Sequence, residues 1–411
     1  MAHDNGGLRF AGSGLNWPSF LQAFGKDVVF LASEPYCAGA SAFNDFVASC
    51  GRLVENRGVA SDLCGYMKTY LGSLWSDRYI LPNGQILPWP HPDLYVTGHI
   101  CCSHAKWYQY AAELCSKPMF GIDWGCRTSI ETDDSSLDYL LVQALECIDW
   151  IEKQSGRKFD DDLFIENALR EMKANELWSE ICFLNQSIPA PISENSLYSF
   201  FSFNLTNPQW EATIELFRQL KDETIDRVKR GIAGVAEERY RIATSASPQW
   251  AFLKDFRALE RKFGAIPVIS QYVMQWGTAW EFDGECFHTV TAPTRAEFSA
   301  GGRADWLRRY IDWRTSKNHS MQIWSSGEMH SKLLVAMVKQ WKCDAVVLML
   351  NRGCEGTQLG MMENRSVMLD AGYPVLAYET FTGDNRNFDA PRVLELTASF
   401  YRNLQSLGSR H

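Results

Sequence analysis

Residues 344–389, DAVVLMLNRGCEGTQLGMMENRSVMLDAGYPVLAYETFTGDNRNFD, decide the fold. Residues 345–350 are a short run of Ala, Val, Leu and Met, long enough for a buried strand and too short for a helix. Asn351-Arg352-Gly353-Cys354-Glu355-Gly356 breaks the run with two glycines. A helical pattern follows, with Leu359, Met362, Val367 and Leu369 apolar and Glu363, Asn364 and Arg365 polar, and Gly372 is placed to end it. Residues 374–379 read as a second strand. Strand, loop, helix, strand is the unit of a parallel sheet with a right-handed crossover. Ligands of such sheets bind beyond the carboxyl ends of the strands, which puts Cys354 where chemistry is done.

The same arrangement recurs upstream. A strand over residues 27–33 runs into Glu34-Pro35-Tyr36-Cys37, followed by a helix over 41–53 with Ser41 as its cap. A helical stretch over 62–75 carries Cys64 in its first turn. A strand over 93–98 leads into His99-Ile100-Cys101-Cys102-Ser103-His104, then a helix over 106–114, then a strand over 119–122 ending at Asp123-Trp124-Gly125-Cys126. Helices dominate from 136 to 230. Beyond them lie a strand entered from residues 237–242, a helix over 248–263, and a strand over 265–273 whose proline suits a sheet edge. Helices over 304–314 and 328–341 lead back to the opening stretch, and one over 392–404 closes the chain. The predicted organisation is an N-terminal segment, 1–85, loosely structured to residue 26 and packing on a first α/β domain, 86–240, then a second α/β domain, 241–411. The halves have similar layout but show no 20–50-residue repeat.

The 411 residues suit two domains, and 46% hydrophobic with 22% charged content is that of a globular protein. No apolar run is long enough to span a membrane, and MAHDNGGLRF has no secretory pattern, so a cytoplasmic protein is expected. A formal charge of −9 without a basic tract argues against nucleic acid. An anionic substrate then needs a local cationic pocket. The chain has neither a phosphate-binding G-x-x-x-x-G-K-[ST] loop nor a strand-linked G-x-G-x-x-G.

Twelve cysteines in a reducing compartment point to core residues plus metal ligands rather than disulfides. Cys37, Cys64, Cys101, Cys102, Cys126 and Cys354 fall at strand ends or in a first helical turn. Cys50, Cys115, Cys147, Cys182, Cys286 and Cys343 fall where structural cysteines do. Thiolates drawn from distant segments onto one rim can hold an iron–sulfur cluster, although the compact ferredoxin and paired C-x₂-C zinc spacings are absent. The plain alternative is an α/β protein with several loop cysteines. His99 and His104 flank the cysteine pair and can donate a proton or a hydrogen bond to sulfur. Asp123, Glu355, Glu379 and Asp384 also fall at strand ends.

Together DLCGYMKTYLG, GHICCSHAKWY, FGID, EERYRIATSASPQW and NRGCEGTQLGMMENR…GYPVLAYETFTGDNRNFD resemble the benzoyl-CoA reductase / 2-hydroxyacyl-CoA dehydratase family from about residue 55 onward. NRGCEG and GDNRNFD are most similar to the B-type subunit of the ATP-dependent benzoyl-CoA reductases. The resemblance implies two Rossmann- or flavodoxin-like domains with parallel sheets and a cluster site between them. It implies a 4Fe-4S cluster on Cys64, Cys101 and Cys354. Adding Cys102, Cys126 and Cys37 gives the six thiols that the family's double-cubane branch requires. It also implies an acyl-CoA substrate (benzoyl-CoA or an analogue), a paralogous reductase subunit, and a separate ATPase activator carrying its own 4Fe-4S cluster.

The activity so implied is that of an oxidoreductase subunit reducing an aromatic acyl-CoA ring. His104, His99 and Glu355 are candidate proton donors, Lys106 and Arg352 candidate CoA contacts, and Trp124, Trp276 and Trp324 candidate pocket walls. Alternatives are dehydration of a 2-hydroxyacyl-CoA through a ketyl radical, a double-cubane reductase of small molecules, and a cluster-free scaffold subunit.

Overall fold

The structure is a computed structural model, and it describes residues 7–13, 17–125, 133–317, 326–358 and 360–407, the side chains of Gln275, Glu355 and Leu407 apart. Two four-stranded parallel sheets organise it. The first runs Val29–Ala32, Arg9–Gly12, Leu94–His99, Met119–Asp123 across its width. The second runs Val375–Thr380, Ala345–Asn351, Tyr240–Ser245, Ala265–Ser270. The first sheet, numbered along the chain, reads 2-1-3-4, the flavodoxin-like winding in which the connection reverses between strands 1 and 3. The second, numbered the same way, reads 4-3-1-2, so its reversal also lies between strands 1 and 3. The expected fold class is the one observed.

Apolar runs became strands because helices cover both faces of each sheet. All but one residue of Ala345–Asn351 are buried, as in a central parallel strand. Pro267 lies in Ala265–Ser270, at the edge of the second sheet, where a missing N–H costs no ladder bond. Gly372 has φ +79° just beyond the helix Met361–Asp370, the expected left-handed stop.

Several expectations differ from the structure. The lead-in over residues 1–26 contains the strand Arg9–Gly12 and the helix Pro18–Gln22. That strand is only four residues long, too short to show periodicity, and it sits inside the first sheet. The segment 1–85 is therefore part of the first lobe rather than a layer packed upon it. The helix expected from Ser41 runs Asn44–Glu55, while Ser41 Oγ donates to the Cys37 carbonyl at 2.8 Å.

The second sheet begins with the strand Tyr240–Ser245, and helices pack across both lobes. Trp306, Leu307, Tyr310 and Ile311, late in the chain, pack with Phe20, Leu137 and Leu140 in the first core. The helix Asp161–Leu184 gives Phe164, Ile165 and Met172 to that core and Leu177, Trp178 and Ile181 to the second. One rigid helix thus spans both lobes. Among the described residues no helix is long and apolar enough to cross a membrane.

Candidate functional site between the lobes

In both sheets a strand beside the winding reversal ends at a cysteine. In the first, Leu94–His99 leads to Cys101; in the second, Ala345–Asn351 leads to Cys354. Each of these strands is the third of its sheet along the chain, so the two cysteines occupy related places. Both line a single cleft of about 800 Å³, counted out to its open mouth, and Cys64 lines it too. Each of the three precedes a helix: Gly65–Trp75 after Cys64, Cys102–Cys115 after Cys101, and Glu355–Gln358 after Cys354.

Glycines let the Cys64 segment close on the second lobe. A Cβ on Gly65 would stand 2.5 Å from the Thr382 carbonyl oxygen, and one on Gly353 would stand 2.8 Å from that of Asp62. Gly353 also has φ +74°, which a side chain disfavours. The glycine before Cys354 therefore brings that residue against the backbone leading to Cys64.

Burial pushes the Cys64 thiol up to about 12, and nearby Cys354 adds to the rise. The backbone N–H groups of Met67 and Tyr66 oppose the shift without cancelling it. A thiol so placed holds its proton unless a cation draws the thiolate out.

Beside the thiols stands an acid–base pair. His104 Nε2 lies 2.8 Å from Glu34 Oε1, and the Tyr108 hydroxyl donates to the same oxygen at 3.1 Å. Glu34 and His104 both line the cleft, and the buried His104 Nδ1 has no hydrogen-bond partner among the described residues. The same holds for Trp276 Nε1 and Thr357 Oγ1, whose residues also line it. Such orphaned polar atoms mark a surface built to meet a polar ligand.

The other nominees fall elsewhere. Cys37 was expected in a strand-end loop, but the chain enters the helix Ser33–Ala40 four residues earlier and carries it inward. It is fully buried, its thiol donates to the Tyr66 carbonyl at 3.3 Å, and it does not line the cleft. Cys102 is exposed in the first turn of its helix and also lies off the lining. His99 is half-exposed, with Nδ1 3.6 Å from Asp123 Oδ1, and is not in the cleft wall.

Lys106 is exposed, Arg352 lines the cleft, and Trp124 belongs to the first core while Trp276 lines the cleft. Cys126, Trp324 and the side chain of Glu355 lie outside the described residues. Glu34 was not singled out from sequence. The strand-end rule that nominated Cys354 applies equally to the residue just past Val29–Ala32.

No disulfide joins the described cysteines. No group of three or more His, Cys, Asp or Glu side chains among the described residues is arranged to hold one metal ion.

Residues 37–393 match the family described as 2-hydroxyglutaryl-CoA dehydratase, D-component. The chain belongs to this family. Similar proteins include the (R)-2-hydroxyisocaproyl-CoA dehydratase alpha subunit of Clostridioides difficile, 26% identical over 368 residues, covering 88% of this chain and 82% of that protein. The (R)-phenyllactyl-CoA dehydratase alpha subunit of Clostridium sporogenes is 22% identical over 338 residues, 81% and 75% of the two chains. The B-type subunit of the benzoyl-CoA reductase of Thauera aromatica is 22% identical over 363 residues, 85% and 78%. The family expected from NRGCEG, GHICCSHAKWY and GDNRNFD is the family matched.

Proposed function

We propose that this chain is the cluster-bearing catalytic subunit of an enzyme that acts on an acyl-CoA thioester by one-electron chemistry. The observation that carries the reading is that Cys64, Cys101 and Cys354, from three separate segments, line one cleft between the lobes. An iron–sulfur cluster is held by thiolates spread around several irons, so a rim of three thiols fits it better than a single ion. Cys37 and Cys102 stand off this rim, which favours one cubane over two. When bound, the cluster supplies a low-potential electron to the thioester; a separate ATPase partner is the source implied by the family.

The chain's own residues handle protons and orientation. With Nε2–H donated to Glu34, His104 gives or takes a proton at Nδ1. The Tyr108 hydroxyl fixes the Glu34 carboxylate that aligns the imidazole. Trp276 Nε1 and Thr357 Oγ1 are donors for a thioester or hydroxyl oxygen. The apolar wall of Ile100, Leu205 and Tyr272 excludes water from the acyl group.

Two reactions share this machinery. Dehydration of a 2-hydroxyacyl-CoA is favoured by the family description and by the two dehydratase subunits. Ring reduction of benzoyl-CoA or an analogue is favoured by the reductase relative and by aromatic Tyr66, Tyr272 and Trp276 in the cleft wall. Dehydration returns its electron at the end of each cycle, whereas ring reduction keeps two. ATP consumed per product by the chain with its paralogous subunit and activator separates them.

The deciding experiment is iron and acid-labile sulfide per chain, with an EPR spectrum, on anaerobically isolated protein. Serine at Cys64, Cys101 or Cys354 is expected to abolish the signal, and serine at Cys37 or Cys102 to keep it. Iron-free wild-type protein would leave the scaffold reading instead, and full iron in all three rim variants would put the cluster on other residues. Glu34→Gln is expected to lower turnover about 10²–10⁴-fold with iron content unchanged.

A further inference from the structure

A second cavity, unrelated to the cleft chemistry, lies under the second sheet. Counted out to its opening, it measures about 440 Å³ between the strands and the helices Leu253–Phe263 and Ala390–Leu407. Sheet–helix layers are ordinarily filled by apolar side chains. This one is lined instead by Glu194, Tyr198, Thr244, Gln249 and Glu260 among its apolar walls.

The two carboxyls are 2% and 3% exposed. Glu194 accepts from Thr244 Oγ1 at 2.7 and 2.6 Å on its two oxygens and from the Tyr198 hydroxyl; Glu260 accepts from Asn195 Nδ2. Gln249 gives an independent sign of a ligand. It is 1% exposed, and neither its Oε1 nor its Nε2 has a hydrogen-bond partner among the described residues. A buried amide with both ends open asks for an occupant that offers positive charge to oxygen and an acceptor to nitrogen.

The charges around the cavity set the sign of that occupant. Glu194 and Glu260 face it as acids, with Tyr198, Tyr378 and Tyr401 as neutral phenols. On the Leu253–Phe263 helix, Arg257 acts on Glu260, and Arg261 acts more weakly from the solvent side. Once both carboxyls are ionised, two carboxylates set against the Arg257 guanidinium leave one negative charge, screened only weakly by Arg261. We propose that this cavity binds a hydrated monovalent cation, held by the carboxylates of Glu194 and Glu260 and the side-chain carbonyl of Gln249.

Water on the ion would accept from Gln249 Nε2, so both ends of the amide are satisfied. Burial raises the Glu194 carboxyl to about 7 and that of Glu260 to about 8, the proximity of Glu194 adding to the latter. Protons therefore compete with the cation, and the site fills as pH rises through neutrality. The proposal does not depend on the reading of the cleft.

The test is thermal unfolding of the full chain in sodium, potassium, rubidium and ammonium chlorides at equal ionic strength. Tetramethylammonium chloride, too large to enter, is the reference. At about pH 9 one of the small cations is expected to raise the midpoint by several degrees over the reference, and at about pH 6 the difference should close. It should also be lost in Glu194→Gln and Glu260→Gln. Equal midpoints in every salt at the higher pH, or an ion-specific rise that survives in both variants, overturn the proposal. Equilibrium dialysis of wild-type protein with radioactive rubidium needs no variant: about one ion per chain, displaced by acid, is expected, and no saturable uptake rejects the site.

Discussion

Lys68 Nζ lies 2.7 Å from Asp384 Oδ2, and the two side chains keep only 1% and 3% of their surface exposed. They are 316 positions apart in sequence. Lys68 also reaches Glu55 Oε1 at 3.2 Å and the Ser61 carbonyl at 2.5 Å. Arg386 grips Asp384 at 2.9 and 2.6 Å and Glu55 at 3.0 and 2.6 Å. The GDNRNFD segment of the second lobe thus clamps the helix that begins after Cys64. Asp384, a strand-end carboxylate by sequence, is a partner in this lock and does not line the cleft.

Removing one member of the lock takes one charged hydrogen bond from a buried network whose other contacts remain. Lys68→Met or Asp384→Asn is expected to cost about 2–3 kcal/mol in denaturant unfolding, and the double variant less than the sum. Burial works to raise the Asp384 carboxyl but is outweighed by hydrogen bonds from Arg386 and Lys68, so it ends below its usual range. A depressed carboxylate adds stability above its unfolded pKa and loses it as pH falls through the folded one. The wild-type stability curve should therefore drop below about pH 4 more steeply than that of Asp384→Asn.

Gly65→Ala puts a methyl 2.5 Å from the Thr382 carbonyl oxygen and 2.8 Å from the Gly383 carbonyl carbon, both backbone atoms that yield poorly. The expected loss is about 1–3 kcal/mol of stability. The clash falls on the residue next to Cys64, so iron retention on dilution should fall alongside. Unchanged stability and unchanged iron would mean that the contact is slack.

In iron-free protein Cys64 should be a poor nucleophile. A thiol held up to about 12 has at pH 8 a thiolate fraction about a thousandfold below that of an ordinary exposed one. Timed alkylation read by peptide mass spectrometry should label exposed Cys102 and Cys286 first and Cys64 far later. Equal rates would mean that the three-thiol rim is open to water.

Glu194 titrates at about 7 because burial disfavours its charge. An acid raised in the folded state stabilises fully below its unfolded pKa and loses that contribution as pH rises through the folded value. Without a bound cation, Glu194→Gln should match wild type near pH 4 and exceed it by on the order of 3 kcal/mol near pH 8, measured by urea unfolding. A constant difference across that range would assign the loss to packing instead.

Much of this molecule is legible in local sequence. The run AVVLML can only be a short buried strand, glycines punctuate NRGCEG, and Gly372 stops a helix, because hydrophobic period and backbone freedom are properties of neighbouring residues. Cys354 and Cys101 are found the same way, since a strand end is a local feature. Helix boundaries slipped where no side chain caps the start, as after Ser41 and at Cys102, which opens its helix four residues before the expected start.

The amino-acid sequence alone therefore determined an α/β chain of two parallel units with thiols at the ends of its strands. Only the tertiary structure decided which thiols meet. Cys64, Cys101 and Cys354 share a cleft while Cys37 turns into the core, because one helical turn redirects a side chain regardless of its distance from a strand end. It likewise made Arg9–Gly12 a strand, paired Glu34 with His104, and joined Lys68 to Asp384. Those relations join residues far apart in the chain, and their energy comes from exclusion of water that no local pattern records.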